Sequence, residues 1–190
     1  PLPNVHEHGA RYLADGHARV SGLQCVCIAP TGPGVTDFVT STAAAFWAHS
    51  PVVVITPETG SGTMGLGGFQ ETDQLPIFSR ITKYQGHVNN VGRMAEITGR
   101  CFDMALSERG PAQLNIPRDY FYGEIDCAIP KPQAVARGPG AEESLDEAVD
   151  LLAKAKFPVI VAGGGVIMSN GSEAAKELAE FLQAPVVNSY

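Results

Sequence analysis

The sequence predicts an α/β fold: a parallel sheet flanked by helices in a first domain, then the opening half of a second α/β unit. Three features carry the prediction. Three short runs, Gln24 to Ala29, Val52 to Thr56 and Gln113 to Ile116, the second of them β-branched throughout, read as strands buried in the sheet. Helical stretches separate them, and strand, helix, strand in that rhythm favours parallel strands joined by right-handed crossovers. A segment rich in Pro and Gly, residues 130–140, then interrupts the pattern as an exposed interdomain linker would.

Taken in order, the first helix is expected over about Ala10 to Val20 and closed by Gly22, a residue suited to the left-handed position after a helix end. The second starts near Thr36 or Asp37, either a suitable N-cap, and carries Val39, Ala43, Phe46 and Trp47 on one side. A third runs from about Val91 to Glu108 and stops at Gly110-Pro111. Beyond the break, Ser144-Leu145-Asp146-Glu147 reads as a capping box for a helix to about Lys156. The strand Pro158 to Ala162, the turn Gly163-Gly164-Gly165, a helix from about Ser172 to Leu182 and the strand Pro185 to Asn188 follow. The expected organisation is a domain over 1–129, a linker over 130–143 and a partial domain over 144–190. With no initiating Met and a strand running into Tyr190, the sequence reads as a piece cut at both ends.

Composition narrows the function. A formal net charge of -7 leaves no basic footprint for nucleic acid or anionic lipid, so neither is an expected partner. No apolar run approaches the roughly 20 residues that span a bilayer, and the N-terminus lacks a signal-peptide pattern, which makes a cytoplasmic location the expectation. Cys25, Cys27, Cys101 and Cys127 show neither C-x-x-C nor zinc spacing and read as small buried hydrophobes.

The glycine clusters carry different weights. Gly60, Gly62 and Gly65 match G-x-G-x-x-G after a strand, but no helix opens there, so a dinucleotide fingerprint is not indicated. Gly163 to Gly165 offers only a partial turn, which together with the α/β rhythm is the basis for an alternative reading as a non-catalytic nucleotide-binding module. Gly32-Pro33-Gly34 lies between the end of a strand and the start of a helix, where open α/β sheets hold ligands, and is the candidate contact. Gly65, Gly67 and Gly68 are expected to make the loop beside Phe69 and Gln70 mobile. His6-Glu7-His8 is the densest titratable cluster, and three readings stand: a metal site, though H-E-x-x-H is absent, a solvated trio, or Glu7 as a catalytic acid with room left by Gly9 and Ala10. Neither the G-x-S-x-G elbow nor a Walker A sequence occurs.

At the level of motifs the chain resembles the acetohydroxyacid synthase-like family of thiamine diphosphate enzymes. His6-Glu7-His8-Gly9-Ala10 with Ala14-Asp15-Gly16-His17-Ala18-Arg19 is similar to its H-E-Q-G-A and A-[DE]-G-Y-A-R pieces. Thr31-Gly32-Pro33-Gly34-Val35-Thr36 and Gly68-Phe69-Gln70-Glu71 resemble its S-G-P-G-x-T and A-F-Q-E segments, in the same order. The stretch from Glu143 to Val166 resembles the start of the family's central domain.

The resemblance implies a pyrimidine-binding domain followed by the first half of a Rossmann-like central domain. It implies Glu7 as the acid that activates the cofactor, Gln70 as a catalytic residue near cofactor and substrate, and Gly32, Pro33, Asp37 and Phe69 as cofactor contacts. Thiamine diphosphate and Mg²⁺ are the implied cofactors, with no metal ligand in this chain because the family's G-D-G segment is absent from it. An assembly of at least two subunits is implied. Finer wording around Phe46 to Pro51, Met64 to Gln70, Thr82 to His87 and Asn115 to Gly123 resembles members that use an aldehyde sulfonate and phosphate to make an acyl phosphate; the alternative is a carboligase acting on pyruvate. His8, Val5, His17 and Asp37 depart from the usual Gln, Arg, Tyr and Asn.

Overall fold

The computed structural model describes residues 1–132, 138 and 140–189 and separates into two compact units, Pro1–Val135 and Ala136–Tyr190. The predicted linker falls partly on 133–137 and 139, which lie outside the described residues.

In the first unit, β1 (Cys25–Ile28), β2 (Val52–Glu58), β3 (Tyr84–His87) and β4 (Ala112–Pro117) form one sheet in the order β1-β2-β4-β3, with every pair parallel. β3 is absent from the sequence reading because Tyr84-Gln85-Gly86-His87 has little apolar content. It is a strand through its pairing with β4, and Gly86 lets the helix behind it approach: a Cβ there would lie 2.7 Å from Cys101 Sγ.

Helix α1 (Glu7–Ser21) begins three residues earlier than expected because the His6 side chain accepts the His8 N–H as a cap, and it ends where Gly22, at φ 68°, donates back to Ala18. The expected second helix is split into α2 (Pro33–Thr36) and α3 (Val39–Trp47). The buried side of α3 is Ser41, Thr42 and Ala45, whereas Trp47 is 79% exposed. Small side chains there let α3 pack closely on α1. A short α4 (Leu75–Phe78) precedes β3, and α5 (Met94–Ser107) follows a single turn of 3₁₀ helix capped by Asn90.

β2 separates two apolar layers. Val52 and Val54 join Ala18, Cys27, Val35, Phe38 and Phe78 on one face, and Val53 joins Val88, Ile97, Cys101, Leu114 and Ile116 on the other. Each fully buried valine stabilises the fold by about 1.5–3 kcal/mol. Burial pushes the Cys27 and Cys101 thiols up to about 12, but Cys25 and Cys127 are only half-buried, so two of the four cysteines belong to the core rather than all. Arg11 is also fully buried, with no hydrogen-bond partner for any guanidinium nitrogen; burial pulls its pKa down, and its neighbour Asp15 is taken by Arg19 at 2.6 Å.

Polar side chains continue the face of the sheet that carries Val52 and Val54. Gln85 Nε2 donates to Gln113 Oε1, Gln113 Nε2 to Thr56 Oγ1, and Thr56 Oγ1 to Asn115 Oδ1 at 2.6, 3.0 and 2.8 Å. Asn115 Nδ2 donates to Glu58, while Gln74 Nε2 reaches Pro57 O and Asn115 Oδ1. Gln74 Oε1 in turn accepts the N–H of Gly32. Buried polar groups satisfied in this way fix register as well as contributing net stability of about 1 kcal/mol per bond.

In the second unit, α6 (Glu142–Lys154), β5 (Ile160–Ala162), α7 (Gly164–Met168), α8 (Ser172–Leu182) and β6 (Val186–Asn188) are arranged with β5 and β6 parallel. The capping box is not at the helix start: α6 begins after Ala141, two residues before Ser144, with Glu142 and Glu143 favouring its N-terminus. Among the described residues, no helix is long and apolar enough to cross a membrane.

Candidate active site

The carboxyl ends of β1, β2 and β4 share one rim, the place where open parallel sheets bind ligands. A cleft of about 330 Å³ opens there. Pro30 and Thr31 line it from beyond β1, Pro57, Thr59, Thr63 and Gly68 to Gln70 from β2 and its loop, and Arg118 from the end of β4.

Glu7 is the first residue of α1 and is half-buried. Its Oε1 lies 3.4 Å from where a Cβ on Gly34 would stand, so the carboxyl faces the Gly32-Pro33-Gly34 turn. Pro33, at the first position of α2, leaves its ring exposed. Gly32 is buried at φ 66° and ψ -112°, and a Cβ there would come within 2.3 Å of the Gln70 carbonyl oxygen. The turn after β1 and the loop after β2 therefore touch at position 32, and the structure brings Glu7, the glycine-proline turn and Gln70 into one neighbourhood.

Asp37 is exposed, with Oδ2 3.9 Å from His6 Nδ1. Ligand atoms of His6, Glu7 and Asp37 lie within 4.8 Å of one another, the spacing of a possible cation site among the described residues. His6 Nδ1, however, already accepts the His8 N–H, so a cation there would release the cap of α1. His8 stacks on Tyr12 with ring centroids 5.2 Å apart, and its buried Nε2 has no partner.

The loop after β2 is braced by two carboxylates. Glu71 accepts the N–H groups of Gly65 and Gly68, and these bonds hold its carboxyl below the usual carboxylate range. Asp119 accepts the Oγ–H of Ser61 at 2.6 Å and its N–H at 2.7 Å, and is held low for the same reason. Gln70 sits at φ 58°, a left-handed conformation that costs a residue with a Cβ about 1–3 kcal/mol and that these braces enforce. Phe69 is 85% exposed at the mouth of the cleft. Gln74 and Thr59 were not read from the sequence, and Asn115, Arg118 and Asp119 entered it within the Asn115 to Gly123 wording, with no site role; the available signal was two amides, Gln113 and Asn115, inside a strand buried on both faces.

The chain belongs to the thiamine pyrophosphate enzyme family: residues 2–77 match its N-terminal TPP binding domain and residues 145–190 its central domain. Within that family, it is 65% identical over 189 residues to the sulfoacetaldehyde acetyltransferase of Alcaligenes xylosoxydans xylosoxydans and 62% identical to that of Castellaniella defragrans. These matches cover 100% of this chain but 31% and 32% of those proteins, so the chain spans about a third of their length. A probable acetolactate synthase large subunit of Methanocaldococcus jannaschii is 36% identical over 95% of the chain and 32% of its own length. The solved thiamine diphosphate-dependent 4-hydroxybenzoylformate decarboxylase of Rhodococcus jostii RHA1 has the same fold, with a TM-score of 0.87 at 21% identity over 97% of this chain and 36% of that one.

Proposed function

We propose that the protein to which this chain belongs is a thiamine diphosphate-dependent acyltransferase that converts sulfoacetaldehyde and phosphate to acetyl phosphate and sulfite. The observation that carries the reading is the meeting of Glu7, the Gly32-Pro33-Gly34 turn and Gln70 at one sheet rim, in a chain 65% identical to a protein of that name.

The residues present fit the cofactor. No side chain at position 34 covers the Glu7 carboxyl, and the exposed ring of Pro33 offers an apolar surface beside it. Thiamine diphosphate, when bound, supplies a carbon nucleophile and an electron sink for acyl transfer. Glu7 would hold a proton at its carboxyl oxygen and share it with a pyrimidine ring nitrogen. Gly32 and Pro33 would contact the ring, Asp37 would border it, and Phe69 and Gln70 would orient the aldehyde from the loop. Phe69 would also help exclude water. Mg²⁺ is expected with the diphosphate and is assigned to no residue of this chain. Assembly into at least a dimer and a cytoplasmic location belong to the same proposal.

The test is phosphate-dependent release of sulfite from sulfoacetaldehyde by the purified full-length enzyme. Sulfite formation that requires phosphate is the expected result. Formation of 2-acetolactate from pyruvate with no sulfite release would replace this reading with the carboligase one.

A further inference from the structure

We propose that Thr59 and Arg118 form a binding subsite for a tetrahedral oxyanion, the chemistry shared by the sulfonate of the aldehyde and by inorganic phosphate. The inference rests on the acyl transfer reading above and extends it to the recognition of one of its two anions.

Thr59 is 7% exposed and lines the cleft, yet its buried Oγ1 has no hydrogen-bond partner. An unsatisfied buried hydroxyl costs about 1–3 kcal/mol, a cost removed when a ligand in the cleft accepts its proton. Arg118 is the cationic side chain among the cleft-lining residues, which include no carboxylate. Its guanidinium makes no hydrogen bond or ion pair among the described residues, so its five donors are open to a ligand. A planar guanidinium suits an oxyanion because two parallel N–H groups meet two oxygens at once. On a chain with a net charge of -7, a cation facing a cleft free of carboxylates is not a general property of the surface.

The two groups are also held in a fixed relation. Ser61, two residues after Thr59, is bonded through both N–H and Oγ to Asp119, the residue next to Arg118. That pair ties the loop after β2 to the end of β4 and sets the span that an anion between Thr59 and Arg118 would bridge. A preorganised pair of donors loses little freedom on binding.

Equilibrium titration of the full-length enzyme with ethanesulfonate, an unreactive sulfonate, and separately with inorganic phosphate tests the subsite. Arg118→Met should weaken at least one of these anions roughly 10- to 100-fold, the scale of a charged hydrogen bond, and Thr59→Val should weaken the same anion. A loss confined to ethanesulfonate assigns the subsite to the aldehyde, and a loss confined to phosphate assigns it to the acceptor. Thr59→Ser, which restores the hydroxyl, should recover the affinity, separating a bonding role from a packing one. Unchanged affinity for both anions in Arg118→Met and Thr59→Val would overturn the proposal, even if the wild-type enzyme releases sulfite. Failure of the wild-type enzyme to release sulfite would instead sink the acyl transfer reading.

Discussion

Replacing Gly32 with alanine probes the contact on which the site is built. The native backbone, at φ 66° and ψ -112°, disfavours any residue with a Cβ by about 1–3 kcal/mol. The new Cβ would also stand 2.3 Å from the Gln70 carbonyl oxygen and 3.0 Å from Gln70 Cβ, so the loop would have to retreat by about 1 Å to reach an ordinary contact. Overpacking of that kind adds about 1–3 kcal/mol, for a combined destabilisation of about 2–6 kcal/mol concentrated where the two segments meet. Hydrogen exchange of the full-length enzyme reads this locally. A loss of about 2 kcal/mol in opening free energy raises the exchange rate roughly 30-fold, and the amides of Gly68 and Glu71, which close the loop, should show it. Activity should fall with it, because Gln70 moves. Gly62→Ala is the control, since nothing lies within 4 Å of the position and its φ is not positive. If Gly32→Ala leaves both exchange and turnover as they are in Gly62→Ala, the turn and the loop do not meet as described.

Further outcomes follow from the same geometry. Glu7→Gln in the full-length enzyme should slow deuterium exchange at C2 of bound thiamine diphosphate by about 100-fold or more, and an unchanged rate would remove Glu7 from cofactor activation. Glu71 and Asp119 have folded-state pKa values below their unfolded ones, so their contribution to loop stability is complete above the unfolded values and fades as pH falls through the folded ones. Protease cleavage between residues 59 and 71 should therefore be flat from neutral pH to about 4.5 and rise only below about 4; a rise between pH 7 and 6 would contradict the bracing. Arg11→Met should stabilise the enzyme by about 1–4 kcal/mol, because it removes a buried cation that has no hydrogen-bond partner. A lower unfolding midpoint would mean that the guanidinium has a partner in the assembled enzyme.

Much of the fold was legible because its signals are local. Short apolar runs marked β1, β2 and β4, and Gly22 marked the end of α1, since each depends on propensity or on one special backbone angle. β3 was not legible, because it is held by register with β4 and by the close approach of α5 at Gly86, neither of which leaves an apolar run. The face of α3 was misjudged for a related reason: close packing on α1 selects small residues, which a hydrophobic pattern underweights. At the candidate site, motif order singled out Glu7, Gly32, Pro33, Asp37, Phe69 and Gln70. Thr59 carries no motif, Arg118 and Asp119 fall within the Asn115 to Gly123 wording without a site role, and the relation of the three appears only when residues nearly 60 positions apart are bonded.

The side-chain relay on one face of the sheet has a direction. Gln85 gives a hydrogen to Gln113, which leaves Gln113 only its amide nitrogen to offer Thr56; that hydroxyl must then aim at Asn115, whose own nitrogen turns to Glu58. His87 closes on the same carboxylate from the edge strand. One group with no hydrogen of its own thus orients every amide upstream of it, and the orientation reaches the Gly32 N–H by way of Gln74. Exchanging Glu58 for glutamine would keep the shape but make the sequence of donors reversible, and the turn at Gly32 would then have two ways to be set instead of one.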